Sequence, residues 1–147
     1  MSLMSLTFER WYPAIYAVAA SVAAWMGGAI LPEDSSYRAG LLSAAISASA
    51  IFVGFVITAK SILMALPVAT GIRQKLRDSG FEEDLTFYLT QSMFSNLAFC
   101  TLNIIGFFPI TQQHIYCFSP IWIGLGVFCL ATFWRVNRVM TAIFHLA

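Results

Sequence analysis

The chain has 147 residues, of which 59% are hydrophobic and only 10% charged, and its mean hydropathy is +0.78. This excludes an ordinary soluble domain, because a fold of this size keeps much of its surface exposed and could not hide so much apolar side chain from water. Eight basic residues against seven acidic ones leave a net charge of +1, which gives no general drive toward nucleic acid or an acidic substrate.

In chain order, the first apolar run extends from about Trp11 to Leu31, close to the roughly 20 residues that a helix needs to cross hydrocarbon. Trp11, Tyr12 and Pro13 suit a helix start at a membrane interface. Arg10 ahead of Ala19, Ala20, Ala23 and Ala24 also fits the plan of a signal peptide, but we expect a retained span. Pro32, Glu33, Asp34, Ser35 and Ser36 then form a short polar turn, after which a second run covers about 39–66 and stops at Pro67. The second run exceeds the minimum and should tilt or project from the lipid.

Residues 67–84 form a charged loop holding Arg73, Lys75, Arg77, Asp78, Glu82, Glu83 and Asp84, with Val68, Ile72 and Leu76 as an apolar stripe along its first part. A third run occupies about 85–108, up to Pro109, and a fourth about 120–140, from Pro120 to the region of Arg135 and Arg138. The expected fold is therefore an all-α membrane protein, a single domain over 1–147 with four transmembrane helices in two hairpins. Arg10, Lys60, Arg73, Lys75, Arg77, Arg135 and Arg138 fall on one side of this topology and only Arg38 on the other. By the positive-inside rule that is an N-in, C-in protein of a cell inner membrane.

Three sets of residues inside the spans stand out. Ala20, Ala24 and Gly28, with Ser47, Gly54 and Thr58, form small-residue faces on the first two spans, which predicts that these two helices pack together or that copies of the chain self-associate. Ser92, Asn96 and Asn103 fall close to one face of the third span, as interhelical hydrogen-bond partners or as the lining of a pore shared between several copies. Lys60 is a snorkelling cation or a gate near Gln91. Arg73, Lys75 and Arg77, with Arg135 and Arg138, are candidates to contact lipid headgroups or a cytosolic protein partner.

Nothing points to an enzyme, a cofactor or a metal. There is no phosphate-cradling glycine loop, and His114 and His145 fall on opposite sides of the expected membrane. Cys100, Cys117 and Cys129 have no disulfide spacing.

The stretch from Val53 to Pro67 (Val53, Gly54, Phe55, Val56, Ile57, Thr58, Ala59, Lys60, Ser61, Ile62, Leu63, Met64, Ala65, Leu66, Pro67), followed by Arg77, Asp78, Ser79, Gly80 and Phe81, resembles a pattern in small four-span bacterial membrane proteins. Some of these look like the membrane components of anti-phage operons. The resemblance covers about a third of the chain and implies a membrane-acting effector or sensor paired with a soluble subunit. The leading expectation is thus a self-associating protein that perturbs the membrane or conducts ions. The alternatives are a non-conducting scaffold or sensor that recruits a cytosolic partner through 67–84 and the C-terminal tail, and a small transporter subunit. In every case the partners are membrane lipids and further copies of the chain, with no nucleic acid bound directly.

Overall fold

The computed structural model describes residues 3–32, 34–65 and 81–145. Among the described residues there are four long helices, α1 (Leu3–Met26), α2 (Ser35–Ala65), α3 (Phe81–Gly106) and α5 (Ile115–His145), and one short helix, α4 (Pro109–Gln113), which links α3 to α5. Among the described residues there is no strand.

The ends of α1 differ from the expected 11–31. The helix begins at Leu3 and carries Pro13 in its interior, because one proline forfeits one ladder bond without ending a helix whose other residues are good formers. It stops at Met26, where Gly28 takes a left-handed φ of 62°. There the Ala29 N–H donates to the Ala24 carbonyl at 2.9 Å and the Gly28 N–H to the Trp25 carbonyl at 3.3 Å. This paired stop needs a residue free of Cβ strain, so Gly28 ends the helix and does not belong to a packing face.

Helix α2 starts on Asp34, whose Oδ1 accepts from the Ser36 N–H and the Ser36 hydroxyl, each at 2.8 Å. Proline opens α4 at its first position. Helix α5 begins before the expected Pro120, because the His114 carbonyl accepts from the N–H groups of Cys117 and Phe118 and nucleates the helix there.

The helix pairing also departs from expectation. Helix α1 packs along α5, α5 along α3, and α3 along α2, whereas α1 and α2, adjacent in sequence, share no extended contact. The predicted close pairing of the Ala20, Ala24, Gly28 face with Ser47, Gly54 and Thr58 is therefore absent. Of these six only Ala24 is buried, and a Cβ added at Gly28 or Gly54 would meet nothing within 4 Å.

The close approach lies elsewhere. A Cβ on Gly124 of α5 would sit 1.8 Å from Ser21 Oγ and 3.1 Å from the Ala17 carbonyl oxygen, so α1 meets α5 through Ala17 and Ser21 with Gly124. Two backbones can come this near only where the side chain between them is missing. Helix α5 turns Gly126 toward Phe99 of α3, so its two glycines serve its two neighbours. The core joins Val56 and Ala59 of α2, Leu85, Tyr88 and Leu89 of α3, and Val136 and Met140 of α5. The Phe52 and Phe133 rings, stacked at 4.2 Å, tie α2 to α5 beside it.

By length and composition α2 and the Ile115–Thr141 part of α5 are apolar enough to cross a membrane, and the other two long helices do not meet that measure. Helix α1 stops early and includes Glu9 and Arg10, while α3 is diluted by Gln91, Ser92, Ser95, Asn96 and Asn103.

Candidate functional site

The polar residues of α3 converge on α5. Ser92, Ser95, Asn96 and Asn103 are all buried, as are Cys129, Thr132 and Arg135 on α5. Together they form a polar seam that follows α3 from Gln91 to Asn103, about 18 Å at 1.5 Å per residue.

At one end of the seam, Asn103 uses both halves of its carboxamide. Its Nδ2 donates to the Phe99 carbonyl at 2.7 Å and its Oδ1 accepts from Trp122 Nε1 at 2.8 Å. Midway, the Ser95 hydroxyl donates to the Ser92 carbonyl at 3.0 Å and lies 3.1 Å from Thr132 Oγ1. The Cys129 thiol donates to the Ser95 carbonyl at 3.1 Å. At the far end Arg135 Nη2 donates to Gln91 Oε1, and the guanidinium lies 4.0 Å from the centre of the Tyr88 ring.

Asn96 sits inside the seam, its Nδ2 donating to the Ser92 carbonyl at 2.8 Å. Among the described residues Asn96 Oδ1 and Ser92 Oγ have no hydrogen-bond partner. One acceptor and one hydroxyl of this kind can hold a bridging water. They do not make a file of sites through the bundle.

The three residues singled out as a polar face thus lie together, turned inward within one chain. A pore shared between copies would need them on the outside, and exposure of only 0–1% of their surface leaves nothing to present there. The physical reason is that α5 supplies matching groups, Trp122 for Asn103 and Thr132 for Ser95, so that these polar groups of α3 are answered within its own bundle.

Lys60 is half-buried, and its Nζ donates to Thr90 Oγ1 at 3.4 Å. Arg10 reaches α3 from α1, its guanidinium 4.8 Å from the Phe87 ring centre. Arg135 is buried in the seam and Arg138 is exposed. Arg73, Lys75 and Arg77 lie outside the described residues. Sequence reasoning set Lys60 near Gln91 but missed that Arg10 and Arg135, from two further helices, converge on the same stretch, residues 87–91 of α3. The available signal was their common side, since each basic residue stands at or near the same end of the expected topology. It also missed Gly124, whose spacing from Gly126 marks two faces of one helix.

The outer surface contrasts with the seam. Trp11, Ile15, Val18, Val22 and Trp25 of α1, and Ile51, Phe55, Ile57, Ile62 and Met64 of α2, are all exposed. The exposed hydroxyls of Ser47, Thr58 and Ser61 donate to carbonyls four residues back, at 3.0, 2.9 and 2.9 Å. Among the described residues no group of three or more His, Cys, Asp or Glu could hold a metal. Comparison with family models, curated proteins and solved structures finds no match to this chain.

Proposed function

We propose that this chain is a four-span integral membrane protein with both termini cytoplasmic, that it self-associates through α2, and that the assembly acts on the inner membrane itself. One observation carries the reading: the bundle is polar along its internal seam and apolar outside, with its exposed α2 hydroxyls folded back onto the backbone. Lipid offers no hydrogen bonds, so a helix bathed in it must satisfy each hydroxyl internally, whereas water imposes no such demand. The common end reached by Arg10, Lys60 and Arg135 supports the N-in, C-in sidedness. The open space above Gly54 on the bare α2 face supports contact between copies.

A membrane-acting effector of a bacterial defence operon rests on the resemblance of 53–67 and 77–81 to four-span proteins of that kind. The seam favours perturbation by assembly over conduction through an asparagine-lined pore, because Asn103 is consumed by Trp122 within the chain. The scaffold reading depends on 67–84 and the C-terminal tail, and 67–80 lie outside the described residues. A transporter subunit is disfavoured by the absence of any Asp or Glu from the apolar stretches of the four runs.

The test is membrane potential in cells expressing the wild type, Gly54→Leu and Asn96→Leu at matched membrane abundance, with alkaline-carbonate extraction of each. Wild-type depolarisation that Gly54→Leu abolishes and Asn96→Leu spares is the expected result. The reverse pattern reinstates the pore, and an intact potential in all three, with the trigger or operon partner supplied, moves the function to the scaffold. Cys117, exposed at the start of α5, reports topology: a membrane-impermeant maleimide should label it from outside the cell.

A further inference from the structure

The charges on the outward face of α3 fit a lipid headgroup of one kind. Arg10 from α1 rests on Phe87 and Lys60 from α2 rests on Thr90, so two cations come from different helices to residues three apart on one side of α3. Among the described residues neither cation has a carboxylate partner; Arg10 meets the Phe87 ring and Lys60 the Thr90 hydroxyl. Between and below them α3 shows lipid-length apolar surface, with Phe94, Leu97 and Ile104 exposed.

Glu83 is exposed one turn before Phe87, and its helical position, four before Phe87 and seven before Thr90, puts it on this same side. It stands about 6 Å nearer the cytoplasmic end along the axis. Asp84, the next carboxylate, is half-buried and rotated by about 100° onto the side toward α5. Among the described side chains, the order moving outward along this face is apolar surface, two positive charges, one negative charge.

We propose that this face binds an aminophospholipid, its phosphate between Arg10 and Lys60, its primary ammonium at Glu83 and an acyl chain along Phe94, Leu97 and Ile104. The proposal rests on the membrane reading above. An anionic lipid without an amine would set its polar headgroup against Glu83 with no charge to offer it. A choline headgroup would bring a positive charge with no N–H to donate.

The experiment is native mass spectrometry of the full-length protein, extracted in detergent and given equal amounts of phosphatidylethanolamine, phosphatidylglycerol and phosphatidylcholine. Retention of phosphatidylethanolamine above both others is expected. Arg10→Gln and Lys60→Gln should each weaken it by roughly two- to fivefold, as for the loss of one partly exposed ion pair. Glu83→Gln should erase the preference for the amine while leaving phosphatidylglycerol bound, and Arg138→Gln should change nothing. Equal retention of the three lipids, or a preference that survives the Arg10→Gln, Lys60→Gln double variant, overturns the proposal. Carbonate extraction of the same membranes separates the two readings: a chain that stays in the membrane without lipid preference refutes this site alone, and a chain that is extracted refutes both.

Discussion

The α3–α5 seam and the face of α2 invert the arrangement of a water-soluble bundle. At the seam, carboxamides, hydroxyls, a thiol and a guanidinium are buried, and most are paired across the interface. On α2, isoleucine, phenylalanine and methionine face outward, and the hydroxyls among them are closed onto their own backbone. The contrast teaches that specificity of pairing here resides in polar and very small groups. Apolar side chains can exchange a helix neighbour for lipid at little cost, but a buried carboxamide or a missing Cβ accepts few partners.

The strongest way to break this contrast is to compare glycines. Gly124→Leu should push α1 away from α5 and cost about 3 kcal/mol, since the added side chain collides with Ser21 and the Ala17 backbone. Gly54→Leu should leave protomer stability within about 0.5 kcal/mol, because it projects into open space. Unfolding in mixed micelles with increasing dodecyl sulfate measures both, and equal losses would sink the assigned pairing.

A smaller effect is expected at the seam. Asn103→Leu keeps the branching and the number of side-chain heavy atoms but strands the Trp122 N–H, and should cost about 1–2 kcal/mol in the same assay. Thr58→Val, on the exposed face, should cost little, because it removes a hydroxyl bonded only to its own helix. Similar penalties for the two would mean that the seam carries no special share of the fold. Thiol reactivity sharpens the same contrast without mutation: Cys117 should react with maleimide in the folded protein, and Cys129 only after unfolding.

The smallest expected effect concerns the turn before α2. The Ser36 hydroxyl, and then its N–H, bond the Asp34 carboxylate and hold its pKa below the ordinary value. A depressed carboxyl contributes stability that is present above its unfolded pKa and lost as pH falls through its folded one. Asp34→Ala should therefore lower stability at neutral pH, and the gap from the wild type should close in acid, below about pH 4. A gap that stays constant down to strong acid would show that the charge of Asp34 is immaterial.

The four long helices and most of their middles were legible in the apolar runs, because length and polar breaks are local properties of the chain. So was the shared side of Ser92, Asn96 and Asn103, which follows from helical spacing. The pairing was not legible, since Ala20, Ala24 and Gly28 look like a packing face by spacing alone, and only the left-handed backbone at Gly28 reveals a helix stop. Which helix answers the asparagines was hidden too. Trp122 reads in sequence as one more apolar residue, and its single donor matters only once α5 lies against α3.

Helix order has a consequence for biogenesis. Helix α1 emerges from the ribosome first, yet its partner α5 emerges last, and α3 awaits the same helix to satisfy its carboxamides. The Leu31 N–H, bonded to Ser119 Oγ at 3.0 Å, fastens the link after α1 to α5 as well. On the proposed membrane reading, the nascent chain holds an unmatched first helix and a third helix with unanswered amides in lipid until synthesis is almost complete. A chain shortened from the C-terminus would stay in that condition, with α1 unpaired and Asn103 without Trp122.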